Sequence, residues 1–204
     1  MNKIKLKQFF ADKKFLKKLL IALFFYLIAV ILPSFTTSFI QKKFHEPPVV
    51  RDLLWEILPH IKIIWLSEIF LIVTVIFIFV WALKKDKNYI PYTILLISFF
   101  QIIRAGLIVL TPLGFPDSYN GLAPIGEDTV FAFGAFPSGH LAYPTLAYLV
   151  TKSNLMLLSS FIVGTILIIS HSHYSIDIVG TIFITFALYA YFERKVKKYF
   201  INDS

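Results

Sequence analysis

The chain has 204 residues, 57% of them hydrophobic and 16% charged, with a formal net charge of +8 at pH 7 and a mean hydropathy of +0.74. So apolar a composition excludes an ordinary soluble domain and is that of an integral membrane protein. The absence of cysteine excludes disulfides, thiolate metal sites and cysteine nucleophiles. The basic residues gather at the ends of apolar segments, a pattern that sets membrane orientation rather than nucleic-acid binding.

Residues 1–18 form a basic tail, with Lys3, Lys5, Lys7, Lys13, Lys14, Lys17 and Lys18 against the single acid Asp12. An apolar run follows from Leu19 to Leu32 and continues less purely to Ile40. It is long for a signal peptide and no small-residue cleavage site follows, so a retained first span is expected, with Pro33 as a kink or its outer end. A polar-aromatic connection, residues 41–62, contains Pro47, Pro48, Arg51, Asp52 and Trp55. Further spans are expected over Ile63–Leu83 and Ile90–Leu110, joined by the basic turn Lys84, Lys85, Asp86, Lys87. Residues 111–137 make a long loop rich in Pro and Gly, and a loop of that length in a small protein is usually functional or disordered.

A fourth span is expected over Ser138–Val150, with Phe131 to Phe136 as an extension at membrane depth. The fifth covers Leu155–Ser170 and the sixth Ile176–Phe192, and Arg194, Lys195, Lys197 and Lys198 belong to a closing basic tail, residues 193–204. A spanning helix takes roughly 20 residues, so the expected fold is an all-α integral membrane bundle of six transmembrane helices in residues 19–192, with short connections and one long outer loop. With the N-terminus inside, fifteen Lys and Arg fall on the inner side and four on the outer, a strong positive-inside bias. Both termini are then cytoplasmic, and His140, His173 and the long loop share the extracytoplasmic face of the cell membrane.

Two stretches on that face carry chemistry. Phe136-Pro137-Ser138-Gly139-His140 reads as the start of a helix. Pro suits a first turn, Gly lets backbone approach a ligand, and free N–H groups at a helix start attract anions. The same residues also fit a plain loop-to-helix junction with an interfacial histidine. His173 and Asp177 stand four residues apart, on one face of a helix. An Asp behind a His fixes its tautomer and stabilises the cation formed after attack. A capping pair would show the same spacing, but two histidine motifs at one membrane face point to phosphate chemistry.

Phe136–His140 resembles the second signature of the type 2 phosphatidic acid phosphatase superfamily, and His173-Tyr174-Ser175-Ile176-Asp177 resembles its third. The H-Y-x-I-D form is especially similar to the sphingomyelin synthase branch. Pro47-Pro48 with Asp52, and Arg104 with Thr111 and Leu113, loosely resemble two further motifs of that branch. The chain departs from the ordinary phosphatases at three places. Ile166 and Leu167 stand where a Ser-Arg pair is usual, Ile97 where a Lys is usual, and Ala105 follows Arg104 in place of Pro. Two phosphate-clamping side chains are therefore absent, which favours phosphodiester substrates, with less charge to hold.

The resemblance implies transfer through a phosphohistidine. His173 attacks phosphorus, oriented by Asp177; His140 protonates the leaving alcohol and later deprotonates the acceptor. The amides of Ser138 and Gly139 and the Arg104 guanidinium would meet the charge on the phosphoryl oxygens. Arg104 lies about 10 Å inside span three at 1.5 Å per residue, with Glu68 at similar depth in span two. Ionisable residues in a membrane pair or line a cavity, so Arg104 either clamps phosphate or pairs with Glu68. His171, His45 and His60 are expected to be interfacial or loop residues. Asp117, Glu127 and Asp128 are solvated loop acids or bind a choline-like cation or a metal, and Tyr119 and Phe136 are candidates to stack on a quaternary amine.

No cofactor and no metal are expected, since the histidine chemistry needs neither. The expected partners are membrane lipids, and oligomeric state is left open. The expected function is a lipid phosphotransferase or phosphohydrolase, most like a sphingomyelin synthase-type headgroup transferase. The alternative within the enzyme class is a phosphatase on phosphatidic acid or polyprenyl diphosphate. From another class comes a small membrane transporter, whose case rests on Glu68 and Arg104 and is weakened by the lack of an internal repeat.

Overall fold

The structure, a computed structural model, describes residues 12–43, 48–114 and 136–202. It is all-helical, with seven α-helices and no strand among the described residues. They are α1 Lys13–Lys43, α2 Leu53–Ile57, α3 Trp65–Lys85, α4 Tyr89–Leu110, α5 Gly139–Thr151, α6 Asn154–Ile169 and α7 Ser175–Lys195, followed by a π-helical turn over Lys198–Asn202.

Four of these, α1, α3, α4 and α7, are long and apolar enough to cross a membrane. Helix α6 is apolar but has 16 residues, and α5 has 13. At 1.5 Å per residue these reach about 24 and 20 Å, short of a hydrocarbon core of about 30 Å. The extension of α5 expected from Phe131 to Phe136 lies, up to residue 135, outside the described residues.

Local chemistry sets the helix limits. Asp12 Oδ1 accepts the Phe15 N–H and so caps α1, which begins six residues before the apolar run and takes Lys13–Lys18 out of the expected tail. Pro33 neither ends nor breaks this helix, which continues one more stretch to Lys43. The hydroxyls of Thr36 and Thr37 fold back on the Pro33 carbonyl. Pro91 sits in the first turn of α4, where a missing N–H is harmless. Asp52 caps the short α2 through the Leu54 N–H. Buried hydroxyls in the apolar helices, such as Ser98, Thr145 and Thr185, donate to the carbonyl one turn back, which satisfies a polar group where no water reaches.

Helices α1 and α4 pack along their length. Ala22, Tyr92, Leu96, Phe100, Leu146 and Phe192 join α1, α4, α5 and α7 into one buried cluster. A smaller cluster of Ile64, Leu141, Val163, Leu167 and Ile178 lies where α3, α5, α6 and α7 meet. Large apolar side chains also cover the outside: Phe24, Phe35, Ile72, Phe161 and Phe183 are each more than half exposed. That outward-facing apolar surface suits lipid rather than water.

The two ends of the bundle differ in chemistry. At one end Lys87 pairs with Asp12 at 2.7 Å, and the buried Lys18 Nζ donates to the Phe200 carbonyl at 2.8 Å. The start of α1, the α3–α4 turn and the C-terminal turn are thereby tied together at this basic end. The opposite end carries the histidines.

Candidate active site

Helix α5 begins at the histidine end. Its N-cap is Ser138, fully buried, whose Oγ accepts the Leu141 N–H at 3.4 Å. Gly139 and His140 are therefore the first two helical residues, and their N–H groups precede any intrahelical acceptor. Neither has an acceptor among the described residues. Pro144 lies inside the helix and lacks the N–H that would close on the His140 carbonyl.

Helix α7 begins beside it. Asp177, fully buried, accepts the Tyr174 N–H at Oδ2 (2.9 Å) and so caps the helix it belongs to. The same oxygen lies 3.1 Å from His173 Nδ1. His173 is 3% exposed. The carboxylate thus holds Nδ1 and fixes the orientation of the ring. Burial holds the His173 ring below the usual histidine range; the Asp177 hydrogen bond and charge oppose this, while His140 and the Arg104 cation add to it. The outcome is a neutral imidazole at pH 7, the state a nucleophile needs.

The rings of His140 and His173 face each other edge to face, with centroids 6.2 Å apart. His140 Nε2 is 2.8 Å from Glu68 Oε1 on α3. Each histidine thus has its own carboxylate, from a different helix. Glu68 pairs with His140 and not with Arg104, which corrects one of the two readings of Arg104. The reason is rotational: depth along a span follows from residue count, but the direction a side chain faces depends on how helices pack. Arg104 instead donates from Nε to the Pro137 carbonyl at 2.9 Å. A Cβ on Gly139 would stand 3.8 Å from the Arg104 Cζ and Nε. The guanidinium therefore lies against the start of α5, beside its open amides.

A second correction concerns the anion-binding amides. The Ser138 N–H donates to Thr181 Oγ1 at 2.8 Å and is committed there. The open donors are the amides of Gly139 and His140. Thr181 in turn donates to the Asp177 carbonyl at 2.6 Å, so one hydroxyl ties the Ser138 turn to α7. Gly180 completes this join. A Cβ there would lie 2.4 Å from Phe136 Cε2 and 2.8 Å from Cζ, so the Phe136 ring rests directly on the α7 backbone. Gly180 and Thr181 were not among the residues singled out from sequence. The signal for Thr181 was its position one helical turn past Asp177; for Gly180 there was none beyond its neighbour.

The Asp52 segment meets the same helix start. Asp52 Oδ2 accepts the Ser175 N–H, and Tyr174 Oη donates to the Gly114 carbonyl at 3.1 Å. Tyr174, Trp55, His171 and His60 stack in a column with centroid separations of 4.7, 5.5 and 4.9 Å. His171 and His60 therefore pack in this column rather than beside His140 and His173, and His171 takes a left-handed backbone, φ 49°. Among the described residues no three His, Cys, Asp or Glu side chains gather as a metal site. His45, Pro47, Asp117, Tyr119, Glu127 and Asp128 lie outside the described residues.

No protein-family model matches the chain, and no curated protein matches it either.

Proposed function

We propose that this chain is a membrane enzyme that transfers phosphate-ester groups between lipids through a phosphohistidine, most like the sphingomyelin synthase-type headgroup transferases. The observation that carries the reading is the facing pair His140 and His173, 6.2 Å apart, each backed by a carboxylate. A phosphorus atom between two imidazoles with different surroundings is what a nucleophile and a proton donor require.

His173 Nε2 attacks phosphorus and the P–O bond to the lipid alcohol breaks. The alcohol leaves with a proton from His140, whose ring is held at Nε2 by Glu68. The acceptor hydroxyl then attacks the phosphohistidine, gives its proton back to His140, and the P–N bond breaks. Arg104 and the amides of Gly139 and His140 meet the charge that builds on the phosphoryl oxygens. A single guanidinium suits a phosphodiester, which carries one negative charge. In this reading α5 and α6 are the fourth and fifth of six spans, the basic end is cytoplasmic, and the histidine end faces outward.

The test uses purified protein in mixed micelles, given phosphatidylcholine or phosphatidic acid, with and without diacylglycerol and ceramide. Headgroup transferred to an added lipid alcohol, and lost in His173→Ala, is the expected result. Phosphate released from phosphatidic acid without any acceptor would make the chain a lipid phosphatase instead. No His173-dependent product from any pair would overturn the enzyme reading.

A further inference from the structure

Past Ser98, helix α4 is apolar except at Gln101 and Arg104, which lie one turn apart on one face. Both reach the start of α5. A Cβ on Gly139 would stand 3.8 Å from Arg104 Cζ and Nε and 4.0 Å from Gln101 Nε2. Gln101 Nε2 also donates to Tyr143 Oη at 3.4 Å. Tyr143 follows Gly139 and His140 by one turn of α5, so Gln101 and Tyr143 make a polar floor just inward of the Arg104 guanidinium and the two open amides. A carboxamide carries two N–H donors. One goes to Tyr143, at a length beyond the usual 2.7–3.2 Å, and the other meets no acceptor among the described residues. Gln101 lies nine residues before the end of α4 at Leu110, about 14 Å at 1.5 Å per residue. An amide at that depth in an apolar helix is costly unless it is hydrogen-bonded. An oxygen of a ligand seated beside Arg104 supplies the acceptor.

We infer that Gln101 is a specificity-determining residue of this site: its carboxamide donates to a phosphoryl oxygen beside Arg104 and so favours a phosphodiester over a phosphate monoester. The inference rests on the phosphotransfer reading given above. The donors that converge on the start of α5 are the guanidinium of Arg104, the carboxamide of Gln101 and the amides of Gly139 and His140, and Arg104 alone among them has a fixed charge. A phosphodiester brings one negative charge, which Arg104 matches. A monoester brings about 1.5 to 2 at pH 7, and the surplus is expensive where water is excluded. Gln101 therefore adds a hydrogen bond without adding a charge, at a position where a second cation would reverse the preference.

The experiment measures kcat/KM for phosphatidylcholine and for phosphatidic acid, each with diacylglycerol as acceptor, in wild-type, Gln101→Lys and Gln101→Met protein. Gln101→Lys adds the second cation, and the ratio of phosphatidylcholine to phosphatidic acid is expected to fall about tenfold or more. Gln101→Met keeps the length and removes the donor, so kcat/KM for phosphatidylcholine should drop about tenfold at unchanged expression. It brings no charge into the bilayer and decides the matter even where the lysine variant does not accumulate. An unchanged ratio in Gln101→Lys, or unchanged kcat/KM in Gln101→Met, would overturn the assignment while phosphatidylcholine turnover keeps the phosphotransfer reading. A second measurement is independent of turnover: dihexanoylphosphatidylcholine and dihexanoyl phosphatidic acid are titrated calorimetrically onto His173→Ala protein, with and without Gln101→Lys. A relative Kd shifted toward phosphatidic acid is expected, and a ratio that does not move would overturn the assignment. That shift without any His173-dependent turnover would leave Gln101 as an anion-binding residue and remove the enzymatic reading instead.

Discussion

Glu68 on α3 holds His140 on α5 at 2.8 Å, so this histidine is positioned by a helix that carries neither histidine motif. The carboxylate accepts from Nε2 and holds the ring whose neighbour, edge to face, is His173. Glu68→Gln keeps the hydrogen-bonding shape and removes the charge. The expected outcome is a fall in kcat of about 10–100-fold with little change in KM, less than the factor of about 10²–10⁴ from general acid–base catalysis itself, because His140 remains. Steady-state kinetics on the two proteins checks this. Because Glu68 does not pair with Arg104, Glu68→Gln and Arg104→Gln should not rescue each other's activity or expression in the double variant.

The proposed role of His173 as nucleophile needs a neutral ring, so acid should remove activity. Its pKa lies below the ordinary histidine value of about 6.5, mainly through burial. The acid limb of the kcat/KM profile, which reports the free enzyme, should fall only below about 6.5, as pH passes through the lowered pKa of His173. Stability takes the same sign. Below about 6.5 the unfolded chain binds a proton that the folded chain does not, so stability present above that pH declines through the same window. Asp177→Asn removes the hydrogen bond and charge that hold the pKa up. The acid limb should then move further down, while kcat falls by about 10³–10⁴-fold, as when a carboxylate behind a catalytic histidine is neutralised.

Arg104 is a tether in the structure and, in the proposed reading, the charge that meets the transferring group, and two substitutions distinguish these. Its Nε holds the Pro137 carbonyl at 2.9 Å, and its guanidinium lies against Gly139. Arg104→Ala loses both the tether and the charge, while Arg104→Lys keeps the charge and loses the fork geometry. If the cation stabilises the transferring group, both variants lose kcat, by about 10²–10³-fold for Ala and less for Lys. Equal expression with unchanged kcat in Arg104→Ala would leave only the tether. Product chromatography alongside thermal melting distinguishes these outcomes.

The helices were legible because apolar runs, Pro91 in a first turn and basic ends mark them directly. Histidine and aspartate at 173 and 177 meet because a helix start makes that spacing one turn, which a sequence states outright. Glu68 was legible only as a costly charge at a certain depth. Its partner depends on the rotation of α3 against α5, and residue count does not carry rotation. Pro33 does not mark the outer end of the first span, for a related reason. A proline removes one hydrogen bond, but a 31-residue helix anchored against α4 retains enough others to continue. The length of α5 stays short of a full span in the described residues, since its sequence supplies 13 helical residues after the Ser138 cap.

Gly180 and Thr181 bind the two histidine motifs into one site, so they should be as sensitive as the histidines' own supports. Gly180→Ala places a Cβ 2.4 Å from Phe136 Cε2, and the ring, the Pro137 turn and His140 must shift together. Overpacking of this kind costs about 1–3 kcal/mol. Thr181→Val keeps the volume but leaves the buried Ser138 N–H without its acceptor, a loss of about 1–3 kcal/mol. Lowered thermal stability alone would fit any buried pair. The expected distinguishing result is a kcat loss in Gly180→Ala relieved by Phe136→Leu in the double variant, because the smaller side chain makes room for the added methyl. If the double variant is no better than Gly180→Ala, the Phe136 contact does not position His140. Thr181→Ser, which restores the hydroxyl, should recover most of the activity lost in Thr181→Val.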